Sequence, residues 1–552
     1  MNKKVCSFPI LFALLALLIG TCAVVFPASA QAAPTSTGSI TVSGTVASRY
    51  DAYQIFSANV VDGDSDAKIA TDLAWASDAA LPVLHSAGMP NSQTTAQEAA
   101  EWLNTDSHLT SALSAQLARS LQSSGARPAA LNAGTTAELP CGYWLIVADD
   151  DAIAQDEAGT APIMALVGGS AVTVKPKAAT PKVKKHVLED STAAWQKAAD
   201  ATVADDLYWR LSATVPAGLT AYDTYTVRFV DTMSAGLDPS KVAASMRVYV
   251  AAGADGGFDA VQTDKDGRVG TEPAKGWTDI TAQCATKVAA DGKTFTVRTG
   301  DLIAALGGAD AFTAGARVVA VYNAPLNSAC NHGIAKGNPN EVYLRYPRSP
   351  LADQSGDAGF TRTPSDDACA YTWDLALTKR GSDGDKPLSG AVLSITDDRG
   401  RTLTADGTWD AEGKATVTTG EDGRVTVSGV DSGKLEVCEF KAPKGYTAFE
   451  GTRSVTVKAE GLDVDQVAAA KPKLTITAES PLRADSADGS TGSLEASLIN
   501  TPTDTPPSIT TGDFMPSTGD MAMYAAAAAA VAGAALIVVA LLVKRGGGSH
   551  KE

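Results

Sequence analysis

In two short stretches of this 552-residue chain, a polar side chain sits where its neighbours point to a core. Alternate residues of an extended segment share a face, so in "LALTK" Lys379 lies with Leu375 and Leu377. In "LIN" the same parity sets Asn500 beside Leu498. A polar group on a core face is costly unless something there uses it. A buried amine gives up its proton readily and becomes a nucleophile, so the chemistry open to Lys379 is attack on an electrophile inside its own fold.

The other residues able to do chemistry form no comparable set. His85 and His332 lie in no triad or H-E-x-x-H spacing, and no phosphate loop occurs. Asp62, Asp64 and Asp66 imitate the start of a calcium loop, but the Gly and closing Glu at EF-hand spacings are missing. Of seven cysteines, Cys6 and Cys22 lie in an N-terminal leader. The remaining five, Cys141, Cys284, Cys330, Cys369 and Cys438, are widely spaced with no C-x-x-C, which argues against zinc. Secretion permits disulfides, and pairing within domains suggests Cys284–Cys330 and Cys369–Cys438. No metal and no cofactor is expected.

The elements that must position Lys379 and Asn500 are strands. The chain is too long for one core, and it is rich in Ala, Gly, Thr, Val and Asp with few aromatics, as β-rich extracellular modules are. Its net charge of -17 has the wrong sign for a nucleic-acid partner. Lys3 and Lys4, the apolar run Phe8–Val25 and Ala28-Ser29-Ala30 form a signal peptide over residues 1–30, with Ala30-Gln31-Ala32 as a second cleavage choice.

Residues 31–175 read as a first domain. Gly38–Phe56 alternates as strands do, and strands return at Gly142–Asp149 and Met164–Val174. Between them, Leu109, Leu113, Leu117 and Leu121 recur at helical spacing, with Asp106 or Ser107 as cap. The Pro- and Lys-rich stretch Lys175–Lys185 marks a boundary. Residues 176–350 then carry alternating strands divided by Gly/Asp turns, the pattern of a β-sandwich. Ser349–Asp366 reads as a polar linker. Residues 368–502 form a third, smaller sandwich, and residues 503–514 a Pro/Thr spacer. The fold class expected is mainly β: tandem Ig-like or Cna-type sandwiches, the first with a helical insertion.

At the C-terminus, Met521–Val543 is long and apolar enough to span a bilayer, and the tail 544–552 opens with the stop residues Lys544 and Arg545. Just before it, Met515-Pro516-Ser517-Thr518-Gly519 resembles the LPxTG sorting signal of Gram-positive surface proteins, with Met515 for the usual Leu. The resemblance implies that a sortase cleaves Thr518–Gly519 and passes Thr518 to an amine, leaving the apolar segment behind. Pro516 holds an extended kink and Gly519 admits close approach to the scissile bond.

Three landmarks in order, Leu375–Ile395, "EFKAPKGYTAF" at Glu439–Phe449 and "LEASLIN" at Leu494–Asn500, resemble a Cna B-type domain. In that family a first-strand Lys attacks a last-strand Asn, ammonia leaves, and a buried Glu moves the protons. Carried over by motif, these are Lys379, Asn500 and Glu439. "FVDTMSAGL" at Phe229–Leu237 and Val321–Pro350 resemble the middle domain of sortase-assembled pilins, which implies Asp231 as the acid. It also implies Lys185, or its neighbour Lys184, as the nucleophile. Arg348 stands where the Asn should be. Either this domain has no cross-link and a Lys185–Asp231 ion pair replaces it, or Asn340 or Asn327 serves. "AVTVKPKAATP" at Ala171–Pro181 resembles the pilin motif, which implies Lys177 as the amine that receives Thr518 of another copy.

These resemblances imply the major, or shaft, subunit of a sortase-assembled pilus, secreted and finally attached to peptidoglycan, and not a turnover enzyme. Its partners would be sortase, further copies of itself, peptidoglycan, and a host glycan or matrix protein. A monomeric wall-anchored adhesin is the alternative.

Overall fold

Short alternating segments bounded by Gly and Asp turns make strands that bury one face each, and the chain folds as stacked sheets. The computed structural model describes residues 36–503, apart from 45, 65–66, 177–179, 265–267, 309–310 and 313.

In the first region the long strand Arg49–Asp62 pairs with Lys68–Trp75, Ala129–Asn132 and Gly142–Ala148, and Ile163–Val167 extends that sheet. A smaller sheet has Thr37–Val42 between Thr136–Pro140 and Val172–Val174. Side chains such as Ile40, Tyr50, Ile146 and Val167 fill the space between the sheets. The helices Leu81–Ser86, Ala96–Asn104 and Ser111–Ser123 cover the other face, contributing Leu84, Leu103, Leu113, Leu117 and Leu121. The expected single helical stretch is thus broken. Asp106 and Ser107 do not cap it; they occupy the turn at positive φ, 51° and 58°. The cap of the last helix is Thr110, whose hydroxyl accepts from the Leu113 N–H at 3.1 Å. Leu109 lies outside the helix and is exposed.

The middle region is two facing sheets. One contains Lys182–Glu189, Tyr208–Val215, Ala316–Asn323 and Arg247–Ala252 in that spatial order. The other contains Asp366–Tyr371, Asn338–Pro347, Arg228–Met233 and Thr294–Arg298. Trp209, Phe229, Phe295 and Tyr322 are fully buried between them. The stretch expected as a polar linker is structured: Phe360–Arg362 and Asp366–Tyr371 both pair with Asn338–Pro347. Its acidic residues are used internally, since Asp366 accepts from the Lys185 backbone N–H at 2.7 Å and pairs with Lys197.

The third region is again two sheets, and Trp373–Gly381 runs parallel to Ser493–Pro502 at the centre of one. The facing sheet is built on Val392–Thr396, Gly433–Lys441 and Thr452–Glu460. Lys473–Ala478 and Leu482–Asp488, not anticipated, complete the two sheets. Trp373 is fully buried, and truncating such a side chain to Ala costs about 3–5 kcal/mol. Its indole N–H donates to Asp200 of the middle region at 2.6 Å, and Arg401 makes a two-toothed pair with Asp205 at 2.5 and 2.8 Å. No helix among the described residues is long and apolar enough to cross a membrane.

Candidate functional site

In the third region the parallel pairing sets Lys379 opposite Leu498 and Gly381 opposite Asn500. Lys379 and Asn500 are therefore diagonal neighbours on adjacent strands. Both point inward, because Leu375, Leu377, Ala496 and Leu498 on the same faces are core residues. Glu439 comes from Gly433–Lys441 in the facing sheet and reaches across the sandwich. The side chains of Lys379 and Glu439 are wholly buried, and Asn500 nearly so.

The three groups touch one another. The Lys379 amine donates to Asn500 Oδ1 and stands 3.1 Å from Glu439 Oε1. The Asn500 amide nitrogen donates to both Glu439 oxygens, at 3.0 and 3.1 Å. The Phe449 backbone N–H, 3.2 Å from Oε2, fixes the carboxyl further. Burial lowers the Lys379 ammonium to about 8, and the attraction of Glu439 offsets only part of that. A neutral amine is thus accessible near neutral pH. The carboxyl bridges the attacking amine and the departing amide nitrogen, so one group can take a proton from the first and deliver it to the second. The atoms needed for amide exchange are in place: the Nζ–Cγ bond would form, the Cγ–Nδ2 bond would break, and ammonia would leave.

A second buried cluster lies in the middle region. Lys185 and Tyr322 come from one sheet, Asp231 and Asn340 from the other, and all four are fully buried. The Lys185 amine contacts Asp231 Oδ2 and donates to the Tyr322 hydroxyl at 2.9 Å. The Asn340 amide donates to the same hydroxyl at 2.8 Å, and the hydroxyl donates to Asp231 at 3.1 Å. Burial lowers Lys185 to about 8 and raises Asp231, so each is pushed toward its neutral form despite the pairing. Asp231 Oδ1 and Asn340 Oδ1 have no hydrogen-bond partner, and such orphans cost about 1–3 kcal/mol each.

Arg348, at the position expected to hold an Asn, is elsewhere: it donates to the Asp150 carbonyl at 2.9 Å. Asn327 lies in a loop, bonded to Ala235 and Ala329. Lys184 points outward to Asp366. The carboxamide that shares a network with Lys185 is Asn340, the two being linked through the Tyr322 hydroxyl. Its signal was available, since Asn338, Asn340 and Val342 share parity on one strand. The sequence also gave no hint of Tyr322 as the bridge.

The cysteine pairs expected are not formed: Cys284, Cys330, Cys369 and Cys438, like Cys141, are free thiols. Their surroundings explain it. Cys284 donates to the Ile280 carbonyl, while Cys330 faces His332. Cys369 is buried beside Tyr371, and Cys438 sits on a strand of the far sheet of the third region. Among the described residues no group of three or more His, Cys, Asp or Glu is arranged to hold a metal ion. Lys177, Asp66, the signal peptide, the sorting motif Met515–Gly519 and the apolar run Met521–Val543 lie outside the described residues.

Comparison with known proteins places these sites in context. Residues 374–471 match the SpaA prealbumin-like fold domain. The trypsin-resistant surface T6 protein of Streptococcus pyogenes is 29% identical over 143 residues, 24% of each chain. The chain thus matches about a quarter of that relative's length. The T6 backbone pilin structure of serotype M6 Streptococcus pyogenes is 17% identical, with a TM-score of 0.46, covering 86% of this chain and 100% of that one. The major pilin SpaD of Corynebacterium diphtheriae is 15% identical, with a TM-score of 0.41 and the same coverage. The chain therefore carries a SpaA-type prealbumin-like domain over residues 374–471 and is similar to the major pilins of Gram-positive bacteria.

Proposed function

We propose that this protein is a shaft subunit of a covalently polymerised surface pilus that supports adhesion. The observation that carries the reading is the contact of Lys379, Glu439 and Asn500 in one buried cluster that joins the first and last strands of the third region. A cross-link there suits a load-bearing role, because tension on the chain ends is borne by a covalent bond and not by a strand ladder. Lys185, Asp231 and Asn340 make a second cross-link of the same kind in the middle region. The proposal replaces absence of that bond with Asn340 as acceptor.

In this reading the chain has three β-domains, the middle one running on through the strand Asp366–Tyr371 and the third beginning at Trp373, and it is not a turnover enzyme. Sortase cleaves after Thr518 and joins it to Lys177 of the next copy, and the last copy is attached to peptidoglycan. In the sequence Lys177 falls between the strands Val172–Val174 and Lys182–Glu189, in the stretch that joins the first region to the middle one. The apolar run is membrane-spanning only before sorting.

The test is tandem mass spectrometry of protease digests of cell walls carrying this chain. It should find a branched peptide in which the Thr518 carboxyl is joined to the Lys177 amine. Thr518 joined only to wall peptide would rule out the polymer and leave the monomeric adhesin.

A further inference from the structure

His332 stands two residues after Cys330 in the sequence, and the fold brings both a thiol and a carboxylate to its ring. Its Nε2 is 3.5 Å from the Cys330 sulfur, and its Nδ1 is 2.8 Å from Asp374 Oδ1. Cys330 and His332 belong to the loop before Asn338–Pro347, while Asp374 lies on Trp373–Gly381 of the third region. Nucleophile, base and orienting carboxylate thus stand in line. The approach of Nδ1 to Asp374 is close but does not make a hydrogen bond, so Asp374 positions the ring by proximity.

The arrangement is held from every side. Asp374 Oδ1 also accepts from the Ser428 hydroxyl at 2.6 Å and the Gly429 N–H at 3.1 Å. The loop is clamped by Asn338, whose side chain bonds Asn331 through both its oxygen and its nitrogen, at 2.8 Å each. Gly333 N–H then donates to the Thr372 carbonyl at 3.0 Å. Gly333 has φ +74°, and a Cβ there would come within 2.4 Å of the Gly492 nitrogen, so the position requires glycine.

We propose that Cys330, His332 and Asp374 form a reactive-thiol site that exchanges with small disulfides of the oxidising space outside the cell. The Cys330 sulfur attacks one sulfur of the disulfide while its proton passes to His332 Nε2. The disulfide S–S bond breaks and a new one forms to Cys330. The second sulfur departs with the electron pair and takes the proton from His332. The Cys330 sulfur rises from oxidation state −2 to −1 in the mixed disulfide, and the leaving sulfur falls from −1 to −2 as a thiol, so no outside oxidant is needed. Cys284 is the internal control. It too is half-buried, and burial pushes both thiols up to about 11, but it faces the Ile280 carbonyl and not a base. Both sulfurs are therefore held as thiols, and only one of the two has an imidazole to take its proton.

The experiment treats the full chain with the aromatic disulfide dithionitrobenzoate and follows labelling of each cysteine by peptide mass. At pH 7 Cys330 should be labelled about tenfold faster than Cys284 or more, a comparison that needs no variant. His332→Gln should bring Cys330 down to the Cys284 rate with an unchanged melting temperature. Between pH 6 and 9 the variant's rate should rise about tenfold per pH unit, as an unassisted thiol's does below its pKa, and the wild-type rate less steeply. Cys330 labelled no faster than Cys284, or a His332→Gln rate equal to wild type, would overturn the proposal.

Discussion

Lys379 and Asn500, 121 residues apart, meet in the core of the third region on adjacent parallel strands, the amine donating to the carboxamide oxygen. Nothing between them in the chain forces this contact. It follows from strand parity on each side and from a register that sets Asn500 two residues beyond the partner of Lys379.

If the amine and carboxamide react, the full chain loses one ammonia, about 17 Da, for each bond formed. Measured against the mass its own sequence predicts, Asn500→Ala should lack that loss of about 17 Da, and the third region should be less stable by about 5 kcal/mol, the loop-closure term for a ring of this length. Intact mass and thermal denaturation read both. An Asn500→Ala chain with wild-type melting would contradict the cross-link.

Glu439→Gln should fold but keep its unreacted mass, because the bridge that takes the amine's proton and hands it to the leaving nitrogen is gone. Equal bond formation in this variant would show that the carboxyl has no part in the reaction.

The unreacted lysine has a pH signature. In Asn500→Ala the Lys379 amine keeps a folded pKa depressed to about 8 against an unfolded 10.5. The stability it contributes is present above 10.5 and is lost as pH falls through 8. The deficit of the variant relative to wild type should therefore shrink as pH rises from 8 to 10, by denaturant midpoint.

Asn340→Ala should abolish the ammonia loss of the middle region, about 17 Da against the mass its own sequence predicts, while Arg348→Ala should keep that loss. An ammonia loss that survives Asn340→Ala would move the acceptor to Asn327, and no loss in the wild-type middle region would leave the Lys185–Asp231 ion pair in its place. The contrast shows where the sequence was legible. Parity set Lys379 and Asn500 on core faces, because a strand core face is written every second residue, while Lys185 came from the family resemblance with Lys184 as its alternative. Asn340 was one of two alternatives, since an expected tract around Arg348 drew the assignment and only the facing sheets bring Asn340 to Tyr322 and Lys185. Thr110 replaced Asp106 and Ser107 as cap because the chain turns before the helix begins. The strands Lys473–Ala478 and Leu482–Asp488 are rich in Lys, Arg, Thr and Asp, so their alternation is weak. Cys330 and His332 are two residues apart, but Asp374 reaches them only through a contact between the middle and third regions, which no local pattern records.

The joint between the middle and third regions should loosen as pH rises from 5 to 8. Glu189, Asp190 and Asp431 crowd Asp200 there, with Arg399 and Arg401 held by Asp190, Asp205 and Asp397. Burial, then repulsion from Asp200, raises Glu189 from 4.5 to about 8. Its contribution is present below 4.5 and is lost as pH rises through 8. Glu189→Gln should flatten the fall in melting temperature between pH 5 and 8. An unchanged slope would place the titration elsewhere.

The central claim is that copies of this chain are joined through Lys177 and Thr518, and gel analysis of cell walls from cells expressing it tests that most directly. Wild type should give a ladder of oligomers that resists boiling in detergent, and Lys177→Ala should collapse it to the monomer while wall attachment persists. A ladder that survives Lys177→Ala, or a wild-type wall that releases only monomer, would contradict the account.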